Sequence, residues 1–395
     1  MALLAILTTV VLYFLVNQID ADAIRQRQNA ATAQTLAQAK EALIAWSVAN
    51  NSAPGQLPCP EDISKIGTLL EGQALANCNN AASRIGRLPW RTLGLGRVVD
   101  GHGEPLWYVL SAGFRGLPIN SQTPAALTVD GVAASAVAIV FAPGPPLAGQ
   151  TRTSITPLTL PNASDYLDLA NGDGDDAYAT TGPQESFNDR LMVVTHRDLF
   201  SAVEKRVAGE VVKALLVYYC GGADNINGDQ QCVGAGGARM FPRPASFADA
   251  SCIGSAKIPA ACTSAPVSNE GRIPANPDIL WTTYDVMSQL SGAVNGTWFQ
   301  GNGWREQVYY AVSDKCLSPA LNCGGPGVLL SFNGTADTKV VVVVAGSPLA
   351  GQGRLGAQEF IVANYLEGDN ASLGDNSYVS SPAAAAFNDI AKPIK

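Results

Sequence analysis

The first proline of this chain is Pro54 and the first glycine is Gly55. Residues 1–53 therefore lack both helix breakers and are rich in Ala, Leu, Gln, Lys and Glu, which are strong helix formers. One continuous helix is predicted over this stretch, roughly 75 Å long. Its two halves differ. Met1 to Ile19, MALLAILTTVVLYFLVNQI, carries no charge, and a bilayer-crossing helix needs about 20 such residues. Charges then arrive together at Asp20, Asp22, Arg25 and Arg27. A cleaved signal peptide fits less well, because there is no basic n-region and the helical pattern runs on past Asp20. Beyond it, apolar residues recur at Ile24, Leu36, Ala39, Leu43 and Trp46, a stripe that must pack on something. The first half reads as a membrane anchor and the second as an amphipathic spine. A coiled-coil stalk is the alternative for the second half, with few heptads to support it.

The rest of the 395 residues has a globular composition: 47% hydrophobic, 15% charged, with 39 Gly and 24 Pro. Many Gly and Pro with few charges predict short strands and many turns rather than a helical bundle. A net charge of −8 gives no footprint for a phosphate backbone, so nucleic acid is not an expected partner.

Eight cysteines are present: Cys59, Cys78, Cys220, Cys232, Cys252, Cys262, Cys316 and Cys323. Their even number, the lack of any CxxC and the presence of only two histidines favour disulfides in an oxidising compartment over zinc. Short loops close at low entropic cost, so pairing of sequence neighbours is the default expectation, although spacing alone does not fix connectivity.

The run QAKEALIAWSVANNSAPGQLPCPED, then Cys78, then GRLPWRTLGL and GEPLWYVLS, follows the long helix in order. This arrangement resembles the type IV pilins and the pseudopilins of type II secretion, with a Leu-Pro-Cys-Pro and a Leu-Pro-Trp element. The resemblance implies a helix that is half anchor and half head spine, with a β-sheet wrapped on the spine. It also implies bundling of N-terminal helices between subunits, here through Met1, Leu4, Ala5, Leu12, Phe14 and Leu15. Members of the family usually carry Glu at the fifth mature position. With Met1 taken as the first mature residue that position is Ala5, a departure shared with some minor, tip-located members.

The head contains an internal repeat. APGPPLAGQ at Ala142–Gln150 matches VAGSPLAGQ at Val344–Gln352, and WYVLS at Trp107–Ser111 matches YYAVS at Tyr309–Ser313. Tyr166-Leu167 matches Tyr365-Leu366, and Phe187-Asn188-Asp189 matches Phe387-Asn388-Asp389. Order and spacing are kept, and the apolar runs AVAIVFA and KVVVVVA before the PLAGQ elements read as buried strands. Asp198 to Tyr219, DLFSAVEKRVAGEVVKALLVYY, reads as a second spine helix. The expected fold is α+β: an anchor and spine over 1–53, a first pilin-like head over 54–197, and a second over 198–395 with its own helix at 198–219.

Few residues suggest chemistry. The loop NGDGDDAY places Asn171, Asp173, Asp175 and Asp176 together on a Gly-bearing turn. Solvated turns are the plain reading and a calcium site the alternative, with no EF-hand Glu following. The matching loop of the second copy offers Glu367, Asp369, Asp375 and Asn376. His102 and His196 read as a turn residue and a helix-start residue, and no nucleophile elbow, P-loop or HExxH occurs, so an enzyme is not expected. Trp90, Trp107, Trp281, Trp298 and Trp304 read as core or sheet packing, with an adhesive or sugar-binding surface as the alternative. The function expected is structural: a subunit held in the inner membrane by its helix before assembly, then displayed in an extracellular filament. A tip-located priming subunit, or a membrane-anchored adhesion protein that never polymerises, are the alternatives.

Overall fold

A computed structural model describes residues 2–152, 161–183, 185–222, 227, 232–233, 239–253, 262, 268–274, 298–317, 323–382, 384 and 386–395, with backbone alone for 2–20. The fold is α+β, with one long N-terminal helix and several small sheets. Helix α1 runs unbroken from Ala2 to Ala49. It ends where Asn50 turns its side chain onto the Ser52 and Ala53 amides, at 3.0 and 3.1 Å, just before Pro54. Among the described residues no helix is long and apolar enough to cross a membrane. The side chains of residues 1–20, and with them the predicted anchor and Met1, Leu4, Ala5, Leu12, Phe14 and Leu15, lie outside the described residues.

The chain divides into two compact units. The first comprises residues 1–47, 56–116 and 124–196, and the second 48–55, 117–123 and 197–395. The second unit thus takes two short pieces from earlier in the chain than the sequence suggests. Arg206 holds the first by donating to the carbonyls of Val48 and Asn50. Asn302 holds the other by accepting from the Ile119 amide at 3.0 Å.

In the first unit the buried stripe of α1 is Thr32, Leu36, Ala39, Leu43 and Ser47, at spacings of four and three that keep one face inward. Ile24 is 54% exposed and Trp46 only half-buried, so neither belongs to the stripe as the sequence suggested. The short side chains of Thr32 and Ser47 complete it instead, and at Thr32 backbone comes close. At Gly101 the loop meets the Gln28 carbonyl so closely that a Cβ would clash, and its amide donates to Thr32 Oγ1 at 2.9 Å. The helix lies along β7 (Arg190–Val194): Lys40 Nζ donates to the Val193 carbonyl at 2.9 Å and Arg190 to the Asn29 carbonyl at 3.3 Å.

β7 is the edge of an antiparallel sheet in the order β1 (Ile85–Arg87), β2 (Trp107–Leu110), β5 (Ala138–Ala142), β7. β1 follows a single helical turn, α2 (Ala81–Arg84), capped by Asn80. A smaller sheet sets β3 (Leu127–Val129) between β4 (Val132–Ala136), antiparallel, and β6 (Ala177–Tyr178), parallel. Trp107, Val109, Ile139 and Phe141 from one sheet meet Leu127, Tyr166 and Tyr178 in one core. β5 is buried on both faces, which is why it reads as a continuous apolar run.

The second unit repeats this plan. Its larger sheet is β8 (Glu270–Arg272), β9 (Val308–Val312), β12 (Val340–Val344), β14 (Ile390–Ile394), all antiparallel. Its smaller sheet sets β10 (Leu330–Phe332) between β11 (Thr335–Thr338), antiparallel, and β13 (Ser377–Tyr378), parallel. The register also repeats: Trp107 opposes Phe141 as Tyr309 opposes Val343, and both small hairpins carry a bulge after their first pair. Helix α3 (His196–Cys220) buries Val207, Val211, Leu215 and Tyr218 within this unit.

Candidate functional site

The acidic loop of the first unit is built by its own side chains. Asp173 accepts from the Asp175 amide at 3.2 Å, and Asp175 from the Ala177 amide at 2.8 Å, each closing an Asx turn. Asp176 takes a left-handed backbone, φ 66°, and pairs with Arg84 at 2.7 Å. Asn171 is buried: its amide donates to Asp189 at 2.9 Å and to the Ala179 carbonyl at 3.2 Å, while its oxygen accepts from the Ala179 amide at 2.8 Å. Among the described residues no group of three or more His, Cys, Asp or Glu is arranged to hold a metal ion.

Beneath this loop lies a pair of buried carboxyls. Asp168 accepts from the amides of Asn188 and Asp189, at 2.6 and 3.0 Å, and from Gln150 at 2.8 Å. Asp189 accepts in return from the Asp168 amide at 2.8 Å. Burial pushes the Asp189 carboxyl up to about 7; the Asp168 amide and Asn171 pull against that, and the Asp168 charge adds to it. Arg152 closes the network. It donates to the Gly144 carbonyl at 2.6 Å and to Gln150 Oε1 at 2.8 Å, and lies 5.3 Å from the Tyr166 ring centre.

The same network stands in the second unit. Glu367 accepts from the Asn388 and Asp389 amides, at 3.0 and 3.2 Å, and from Gln352 at 3.0 Å; Asp389 accepts from the Glu367 amide at 2.9 Å and from Asn370 at 3.0 Å. Arg354 donates to the Gly346 carbonyl at 2.8 Å and lies 4.5 Å from the Tyr365 ring centre. Burial, then the Glu367 charge, holds the Asp389 carboxyl well above its ordinary range. In both units these bonds join three chain segments: the PLAGQ turn, the short helical turns after it, and the Asn-Asp pair at the last strand, while Oδ1 of Asp189 and of Asp389 is buried without a hydrogen bond. The arrangement is a clamp.

The PLAGQ and Phe-Asn-Asp repeats announced two parts of this clamp. Its arginine went unnoticed, although Arg stands two residues after Gln in both copies, GQTR and GQGR. The acid after Tyr-Leu is Asp168 in one copy and Glu367 in the other; this change hides it from the repeat, and Glu367 reads in the sequence only as an oxygen of the second acidic loop.

The eight cysteines form four disulfides, Cys59–Cys78, Cys220–Cys232, Cys252–Cys262 and Cys316–Cys323, all between sequence neighbours. Such bridges fit an extracellular or secreted protein. Trp107, Trp298 and Trp304 are buried and Trp90 half-buried, while Trp281 lies outside the described residues. His102 is exposed on its turn, and His196 opens α3 with its ring edge-on to Phe114, 6.5 Å between centres. Compared with protein-family models, curated proteins and solved structures, the chain matches none of them.

Proposed function

We propose that this chain is a structural subunit of a type IV pilus-like extracellular filament, anchored in the inner membrane before assembly by residues 1–19. One observation carries the reading: a single unbroken helix, Ala2–Ala49, leads from the apolar run into the core of a disulfide-bearing head. A cleavable export signal has no reason to continue as a head's spine. A helix whose first part is apolar all round and whose second part is half-buried suits a subunit that exchanges lipid for neighbouring helices on assembly. The partners on this reading are other copies of the chain, or other pilins, through their N-terminal helices. The doubled head favours a minor, tip-located position.

The test is made in the source cell. Filaments sheared from the surface should contain the chain by mass spectrometry, and gold labelling should place it at tips. Deleting residues 2–19 should move it from the membrane fraction to a soluble fraction and remove it from filaments. A chain absent from every sheared filament, or still membrane-bound after the deletion, overturns the reading.

A further inference from the structure

The two units share a spine helix as well as a plan, and the groove beside that helix is filled in one unit and open in the other. The buried stripe of α1, Thr32, Leu36, Ala39, Leu43 and Ser47, has its counterpart in α3 as Glu204, Ala208, Val211, Leu215 and Tyr219, in the same order and spacing and buried throughout. The register that sets Trp107 against Phe141 as Tyr309 against Val343 also places Asp100-Gly101-His102 where Asn302-Gly303-Trp304 stand. Arg190 opens β7 where Ile390 opens β14.

In the second unit the segment 117–123 fills the groove between α3 and this turn. The Ile119 amide donates to Asn302 Oδ1 at 3.0 Å, Asn120 Nδ2 to the Asn302 carbonyl at 2.6 Å, and Ser121 Oγ to Glu204 Oε1 at 2.7 Å. The rings of Phe200 and Trp304, 6.2 Å apart, stand where the first unit has Gln28 and His102. In the first unit a cavity of about 350 Å³ is open at this place, between Gln28 and Thr32 of α1 and the turn at Asp100 and His102. Arg25 and Arg190 line it as well, and both are exposed. Asp100, the acid of that lining, is buried and accepts from the amides of His102, Glu104 and Gly144 at 2.8, 3.0 and 2.9 Å, so its charge is held by backbone. Asp22 lies 3.7 Å from Arg25, both side chains being exposed, and Arg190 donates to the neutral Asn29 at 3.2 Å. Thr32 in place of Glu204 and Arg190 in place of Ile390 thus change the groove from one that takes a hydroxyl donor into one suited to carboxylates.

We propose that the open groove receives the acidic loop Asp173-Gly174-Asp175-Asp176 of a second copy of this chain. The equivalent groove already seats a polypeptide segment, which makes a loop the fitting occupant. Charge selects this loop: Asp173 and Asp175 are exposed carboxylates whose bonds go to backbone amides, and paired guanidiniums suit them. Position selects it too. Ala142 opposes Arg190 at the groove end of the larger sheet. Leu110 opposes Ala138 at the other end, and Ile85 opposes Val109 beside it. Arg84, which pairs with Asp176, therefore marks that second end. From Ala138 to Ala142 the strand rises about 13 Å. Groove and loop lie at opposite ends of the sheet, so their contact joins unlike patches and repeats head to tail from copy to copy. The proposal deepens the filament reading and rests on it to bring copies together.

The test crosslinks the full chain in the producing cell. His102→Cys marks the groove and Ser164→Cys the loop, since Ser164 is exposed and a Cβ at Gly172 would meet it. A short bis-maleimide should join copies that carry both changes and none that carry either alone. Dimers and longer ladders both support the contact, and their length counts the copies in a run. Arg25→Glu with Arg190→Glu should lower the yield at least tenfold, and adding Asp173→Arg with Asp175→Arg should restore it. That restoration separates a charge contact from damage to the fold. Three results overturn the proposal: no linked copies in the doubly marked chain, copies linked through His102→Cys alone, or a yield unmoved by the reversed arginines. Shielding of the groove cysteine by phosphatidylglycerol vesicles, with no linked copies in the cell, assigns the groove to lipid and overturns it as well. Sheared filaments judge the filament reading separately. Linked copies of a chain absent from them leave the contact standing and remove that reading, and a chain present in them without linked copies does the reverse.

Discussion

The phenol of Tyr310 donates to the carbonyl of Pro242 at 2.7 Å, and Tyr108 does the same to Pro58 at 3.0 Å. Both tyrosines are fully buried. Each bond fastens a Pro-x-Pro segment to the second strand of its sheet, so the two units share their entry segment as well as their sheets.

Stability should fall as pH rises from about 4 to about 8. Asp189 is pushed up to about 7 and Glu204 to about 8, each first by burial, and Asp389 is raised in the same direction. A carboxyl with a raised folded-state pKa is protonated in the native chain at pH values where the unfolded chain has released its proton. Its contribution is therefore full below the unfolded value, near 4, and is lost as pH climbs through the folded value. Melting followed by circular dichroism should give a higher midpoint at pH 5 than at pH 8. Asp189→Asn should flatten the first unit's share of that slope, and a slope unchanged by the substitution would count against this assignment.

Arg354→Met should loosen the second unit's clamp. The guanidinium is buried and donates to the carbonyls of Gly346 and Asn364 and to Gln307 Oε1. Removing it strands these acceptors, at a cost of about 3 kcal/mol. Brief proteolysis should cut near the PLAGQ turn at residues 348–352 in the variant and spare it in the parent.

Leu215→Asp places a carboxylate on the buried face of α3, where Leu215 is 1% exposed. A loss of about 4 kcal/mol or more is expected. The first unit has its own core around Trp107 and Phe141. It should stay protease-resistant while the second unit is digested, as mapped by mass spectrometry of the fragments. Simultaneous loss of both units would show that they do not fold independently.

Opening the Cys59–Cys78 bridge, by Cys59→Ser with Cys78→Ser, frees a loop with a sequence separation of 19. The chain-entropy account gives roughly 3 kcal/mol for a loop of this size. Chemical denaturation should therefore show the first unit unfolding earlier, with the second unit's transition unmoved.

Much of the fold was legible because the signals were local. The lack of Gly and Pro before Pro54 foretold an unbroken α1, and AVAIVFA and KVVVVVA foretold β5 and β12, whose two buried faces leave no room for polar residues. The three-residue edge strands β1 and β8 were not legible, because Ile85–Arg87 and Glu270–Arg272 are too short to show a period. The kinship of LPCPE with FPRPA was hidden by the change from Cys59 to Arg243 and by an offset of 184 residues, against about 200 elsewhere. Asn171 looked like an exposed ligand oxygen. Its burial against Asp189 depends on a partner 18 residues away, which no local pattern announces.

Helix α1 also has a mechanical consequence. A pull along its axis does not peel the first unit open strand by strand. Between Gln28 and Ser47 the helix is keyed to the unit by the Gly101–Thr32 bond, the Arg190–Asn29 bond, the Lys40–Val193 bond and the Leu36, Ala39 and Leu43 side chains. These attachments are spread along the rod, so axial load falls on all of them together as shear. The rod itself, 48 residues without a proline or glycine hinge, transmits tension without unwinding at a preset point. Such a unit should resist a tug on its N-terminal end better than one applied across the helix.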